Sequence, residues 1–222
     1  SSDGDEIQGM PGTYISPINY VIDTLGKAIW VHSSDGPDVT FIDGLLLGGG
    51  IWCHSGEGDD TIIEGFTIEF CSTVRGAGIY CENSSPTIKT CVFRYNVAEE
   101  WGGGAYCTKS GSPTFEWCEF LENEANNGGG LAVSGYDKDG VYPGVTLSDC
   151  SFNMNIAELG GGAINVLDAD AVSVNRCIFE ENVADQGAGI RVRDTPVEMS
   201  IFECRFVNNE ARGGGGISVH SG

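Results

Sequence analysis

Basic side chains are the scarcest chemistry in this chain: 11 Lys plus Arg stand against 32 Asp plus Glu in 222 residues, a formal net charge of -21. Such a balance lacks the electrostatic footprint of a nucleic-acid binder. It also disfavours anionic membranes and acidic polysaccharides unless a cation mediates. No apolar run approaches the roughly 18 residues a spanning helix needs, which argues against membrane insertion. No signal peptide stands at Ser1, as expected of a mature or trimmed chain. Cys-x-x-Cys clips are missing, and no His or carboxylate shares the cysteine columns described below, so a thiol metal site lacks a recognisable ligand set.

What is present repeats. The phrase Phe-x-x-Asn-x-Ala occurs at Phe93-Asn96-Ala98, Phe120-Asn123-Ala125, Phe152-Asn155-Ala157, Phe179-Asn182-Ala184 and Phe206-Asn209-Ala211, with starts 27, 32, 27 and 27 residues apart. A period in that range marks a solenoid. Each copy is followed by glycines and an apolar stretch, as in Gly128-Gly129-Gly130-Leu131-Ala132-Val133. Aligned on the apolar residue, the series extends upstream through Ile79-Tyr80-Cys81 and Ile51-Trp52-Cys53 to Ile29-Trp30-Val31, giving eight rungs.

Within a rung the alternation is period two, which is strand logic. A second segment reads Ile88-x-x-Cys91-x-Phe93 and returns in later repeats, while Ile42-x-x-Leu45-x-Leu47 and Ile63-x-x-Phe66-x-Ile68 fill the same frame without cysteine. Two to three short strands per repeat leave no room for a crossover helix. The expected fold is therefore all-β: one right-handed parallel β-helix of about eight coils, stacked at about 4.8 Å into a rod near 40 Å long. A single domain spans 1–222, with an irregular first coil at 1–27, regular coils over 28–222 and an insertion at 135–144.

Stacking accounts for the residue choices. Phe93, Phe120, Phe152, Phe179 and Phe206 become one column of inward rings. Asn96, Asn123, Asn155, Asn182 and Asn209 fall at a corner, where Asn tolerates left-handed dihedrals and bonds to the amide above and below. Eight of the nine cysteines also fall in columns: Cys91, Cys118, Cys150, Cys177 and Cys204 in one, Cys53, Cys81 and Cys107 in another, with Cys71 left over. Ladder neighbours about 4.8 Å apart are too distant for a relaxed disulfide at roughly 3.8 Å between Cβ atoms, so buried thiols are the leading expectation, with oxidation of one or two pairs the alternative.

Phe-x-x-Asn together with Gly161-Gly162-Ala163-Ile164 resembles the repeat of the chlamydial polymorphic outer-membrane proteins and of bacterial and archaeal right-handed parallel β-helix proteins. Asp3-Gly4-Asp5, Pro11-Gly12-Thr13-Tyr14, Gly26-Lys27-Ala28-Ile29 and Ile42-Asp43-Gly44 resemble the opening of the latter group. The resemblance covers nearly the whole chain and implies the fold; because this scaffold carries enzymes, adhesins and filament subunits alike, it implies no single activity.

Both ends read as uncapped coils, templates for a further strand. The last residues, His220-Ser221-Gly222, followed by Ser1-Ser2-Asp3-Gly4 of another copy, would spell a turn close to the internal His32-Ser33-Ser34-Asp35-Gly36. The expected function is an extracellular or cell-surface, non-catalytic structural or adhesive rod, associating with itself head to tail. The rival is a carbohydrate-binding or polysaccharide-cleaving protein working on an outward row of Trp30, Trp52, Tyr80, Tyr106, Asn165 and Arg191, beside a second row that starts at His32 and His54 and includes Arg193. Catalysis would draw on Asn165, Asp168, Asp170, Arg191, Arg193 and Asp194. No organic cofactor is implied; Asp137-x-Asp139-Gly140 is a fragment of a calcium loop without its later Glu, and the acidic turns Glu57 to Asp60 and Glu99-Glu100 are looser calcium candidates. Asn83-Ser84-Ser85 is a lone glycosylation sequon.

Overall fold

The computed structural model describes residues 2–16, 19–135, 140–193 and 198–220. These residues contain no helix, so none crosses a membrane as one. Every strand pairs in parallel with its counterpart one coil away, which makes a β-solenoid of about eight turns.

A coil visits four sheets, not the two or three strands expected. In one coil these are Thr87–Lys89, Val92–Arg94, Val97–Trp101 and Ala105–Thr108, belonging to what we call sheets 1, 2, 3 and 4. Sheets 1, 2 and 4 have eight strands; sheet 3 has six and begins only at Ser72–Arg75. The strand missed in the sequence is that of sheet 3. Its inward residue is the small Ala98, Ala125, Ala157, Ala184 or Ala211, which carries little apolar signal.

One residue in the left-handed region turns the chain at each corner. Before the Asn row it is Phe70, Tyr95, Glu122, Met154, Glu181 or Asn208 (φ 49–55°), so the Asn itself does not adopt that conformation, contrary to expectation. Between sheets 1 and 2 the same role falls to Gly65, Thr90, Trp117, Asp149, Arg176 and Glu203, and before sheet 4 to Gly76, Gly102, Gly128, Gly161, Gly187 and Gly214. At Gly102 an added Cβ would sit 2.1 Å from the Ala105 carbonyl oxygen, so this corner excludes side chains as well as favouring φ near +65°.

The rows then stack as the period requires. Phe93, Phe120, Phe152, Phe179 and Phe206 pack ring on ring at 4.5–5.1 Å. Each Asn Nδ2 donates to the Oδ1 of the next Asn at 2.8–3.0 Å and to the carbonyl of the ring residue one coil back, and each Oδ1 also accepts the preceding Asn backbone N–H. Buried amides are thereby satisfied without water, which removes a penalty of about 1–3 kcal/mol per orphaned group. Cys71 is not outside the rows: its backbone N–H donates to Asn96 Oδ1 at 3.0 Å, so it occupies the Asn position one coil earlier.

Three registers differ from the sequence reading. Trp30 and His32 lie in sheet 1, opposite Glu6 and Gln8 on one side and Ile62 and Glu64 on the other. The rung that precedes Ile51 in sheet 4 is Ile22, which pairs with it directly. Ile42 pairs with Ile68, hence stands in the ring row and not opposite Ile88, while Leu45 and Leu47 are exposed. The apolar spelling Ala-Ile-Trp-Val imitates Gly-Ile-Trp-Cys, but Ile29 stands only 22 residues before Ile51, short of a full coil, whereas its true partner Ile22 stands 29 before it. The stretch 1–27, expected to be irregular, already supplies Glu6–Gly9, Gly12–Ile15 and Ile22–Asp23 in register with the next coil. Of the insertion, 136–139 lie outside the described residues; the backbone is back in step at Gly144, whose N–H meets Gly111 O at 3.0 Å.

All nine cysteines are free thiols, eight of them buried and Cys204 half-buried. Cys81 lies opposite Cys53 and Cys107, and the thiol contact with Cys107 together with burial pushes its ionisation upward against an opposing contact with Cys53. On the surface, cations clamp coils together: Arg75–Glu100, Arg94–Glu69 and Arg176–Asp149 at 2.6 Å, Lys89–Glu116 at 3.3 Å, and Lys109–Glu82. Each such exposed pair is worth about 0–1 kcal/mol.

Candidate functional site

The outward row of sheet 4 runs Asp23, Trp52, Tyr80, Tyr106, Ala132, Asn165, Arg191, Ser218. It borders the glycine corner, so its outer face meets the end of sheet 3, and Trp101 stacks on Tyr106 with centroids 6.3 Å apart. An open aromatic platform does not result. Tyr106 is only 6 % exposed and donates its hydroxyl to Ser134 O, Tyr80 stacks on Tyr106 at 5.4 Å, and Trp52 is held between Tyr20 at 5.5 Å and His54 at 3.8 Å. Burial raises the Tyr20 and Tyr80 phenols above their ordinary range. Trp30 sits elsewhere, 39 % exposed, stacked on His32 at 4.1 Å with its indole N–H on Glu64.

The polar half of the row is brought together as expected in part. Asn165 lies opposite Arg191, and Leu167 opposite Arg193. Arg191 lies flat on the corner, its Cδ 2.2 Å from where a Cβ at Gly160 would be. Asn165 is buried, and its Oδ1 has no hydrogen-bond partner among the described residues. Asp168 is the left-handed corner residue that follows this strand (φ 48°), so it serves the turn into sheet 1. Asp194, Asp137 and Asp139 lie outside the described residues. Among those described, no group of three or more His, Cys, Asp or Glu side chains has the geometry to hold a metal ion.

The most heavily bonded polar group is one that the sequence placed in a loose acidic turn. Glu57 is 3 % exposed, and its carboxylate accepts from Thr24 Oγ1, Gly26 N (2.8 Å), Ser55 N (2.8 Å) and Ser84 Oγ (2.6 Å). Burial alone would raise its pKa; the hydrogen bonds from Ser84, Thr24 and the backbone outweigh that and hold it at about 2. Thr24, Glu57 and Ser84 belong to three successive coils, so one carboxylate ties them together. Its oxygens are occupied by protein donors. Nothing in the sequence marks it, because a single unrepeated Glu beside Gly58-Asp59-Asp60 reads as solvent-facing.

Two cavities lie near the amino-terminal coils. One, of about 350 Å³, is mostly apolar and lined by the core residues Ile22, Val31, Ile42 and Phe66 with the exposed Ile7 and Tyr14, and it borders Asp23. The other, of about 420 Å³, lies where sheet 3 has not yet begun and is lined by Asn19, Tyr20, Asp23, Trp52, Ser72 and Thr73 with the backbone of Gly48 and Gly49. Comparison of the chain with protein families, curated proteins and solved structures returns no match.

Proposed function

We propose that this chain is a non-catalytic structural or adhesive rod of the cell surface or extracellular space, which extends itself end to end with further copies. What supports the reading is how the repeated side chains are used. The Phe, Asn and Cys rows are engaged in coil-to-coil stacking, and of the described residues suggested for catalysis Asp168 serves a corner and Arg191 lies against the backbone at Gly160. The edge strands carry the rest. Each edge strand of sheets 1, 2 and 4 has one hydrogen-bonded neighbour, so a further strand, of this chain or of another copy, finds a ready ladder. At the carboxyl-terminal edge Phe202 and Val219 project 58 % and 72 % exposed, while the 350 Å³ apolar cavity lies in the first coils at the opposite edge. A contact between these unlike edges is heterologous and does not close on itself. Calcium would assist by screening the acidic faces of a chain at -21.

Sedimentation velocity between micromolar and submillimolar protein tests this. The native chain should show a weight-average sedimentation coefficient rising with concentration, further with calcium, and Val219→Lys should lower it towards that of a monomer. A single monomeric boundary at every concentration overturns the proposal.

A further inference from the structure

Among the described residues the first two coils have no sheet 3 strand, which every later coil has, and this leaves space beside sheet 4. It remains as the 420 Å³ niche between the start of sheet 4, with Asp23 and Trp52, and the first strand of sheet 3, with Ser72 and Thr73. That volume falls within the ~300–1,000 Å³ typical of small-molecule sites. Tyr20 reaches across its mouth, its hydroxyl 3.4 Å from Arg75 O.

The walls have a particular chemistry. Tyr20 and Trp52 supply aromatic surface, Ser72 and Thr73 hydroxyls, Asn19 an amide and Asp23 a carboxylate. Asp23 Oδ1 already accepts from Leu25 N at 3.1 Å and His54 Nε2 at 3.1 Å, which fixes the carboxylate's orientation. No Lys or Arg lines the niche, so an anionic ligand would meet only negative charge. Trp52 Nε1–H is closed off from solvent and has no acceptor among the described residues, so the indole contributes apolar surface and not a donor to the niche.

Apolar ring surface beside closely spaced hydroxyls and a fixed carboxylate is the complement of a polyhydroxylated ring. We propose that this niche is a binding subsite for one neutral sugar ring of a glycan, packed on Tyr20 beside the edge of Trp52, with a ring hydroxyl donating to Asp23.

The test is saturation-transfer NMR on the full chain with cellohexaose, xylohexaose, maltohexaose and chitohexaose at millimolar concentration, with polygalacturonate and tetramethylammonium chloride as anionic and cationic comparisons. At least one neutral hexasaccharide should receive saturation. Trp52→Phe trims the aromatic wall of the niche and should weaken that binding about fivefold to tenfold, while Trp30→Phe, in sheet 1, leaves it unchanged. Should Trp52→Phe lose its melting transition, Thr73→Val, which keeps the shape and removes a hydroxyl, is expected to weaken binding in its place. Absence of transfer from all four neutral sugars, undiminished binding by a folded Trp52→Phe, or binding confined to polygalacturonate or tetramethylammonium each overturns the assignment.

Discussion

The coils from Ile79 onward and the two before them are held together by different means. The later coils repeat the same side chain at the same place, so rings stack on rings and amides on amides, and each coil sees nearly what its neighbours see. In the early coils the rows run out: Ile42 and Ile68 replace the ring, Cys71 replaces the amide, and among the described residues sheet 3 starts only at Ser72–Arg75. Individual contacts take over there. Glu57 ties three coils, His32 meets Glu6 at 2.8 Å, and His54 meets Asp23 at 3.1 Å. Both cavities fall in this region too. Repetition gives redundancy in place of chemical variety; where it lapses, single residues carry the structure and space for a ligand opens.

That contrast can be broken most severely inside the Asn row. Asn123→Ala removes donors to Phe93 O and Asn155 Oδ1 and orphans the N–H groups of Asn96, and is expected to lower unfolding free energy by about 3–5 kcal/mol in urea titrations. Cys71→Asn, at the head of the same row, should stay within about 1 kcal/mol of the native chain, because no satisfied amide is lost there. Equal effects at the two positions would show that the rows do not act as claimed.

A somewhat smaller effect is expected from acid, acting on the early coils through Glu57. Glu57 has its pKa near 2 in the fold against 4.5 as an ordinary side chain, so its stabilisation is fully present above about pH 4.5 and is lost as pH falls towards 2. The magnitude is on the order of 3 kcal/mol. Glu57→Gln should flatten the stability profile across that window, read from urea midpoints at successive pH values, and an unchanged slope would remove Glu57 from the account.

The smallest change sharpens the corners. Thr90 is β-branched, exposed and held at φ 50°, a conformation in which such residues are strained. Thr90→Gly should raise unfolding free energy by about 0.5–1 kcal/mol, visible as a small upward shift of the urea midpoint.

The rows were legible because period and chemistry agree: a Phe followed by Asn at a constant offset admits few arrangements other than coils in step. Sheet 3 was not, since its inward residue is Ala and leaves almost no hydrophobic trace. Trp30 was displaced by one sheet because local spelling was matched at a spacing shorter than a full coil. Of the candidate site, Trp52 was legible as an outward aromatic. Tyr20, Asp23, Ser72 and Thr73 were not, since they meet only where a strand is missing, and a missing strand has no letters.

The Asn row has one further consequence. From Asn96 to Asn209 each side-chain amide sends a proton forward to the next oxygen and turns its own oxygen back. Dipoles arranged in this way add and polarise one another. The Asn row therefore carries a dipole along the axis, its donor and acceptor ends at opposite coils. Were copies to add end to end as proposed, rows meeting donor to acceptor would continue that dipole and rows meeting like ends would oppose it.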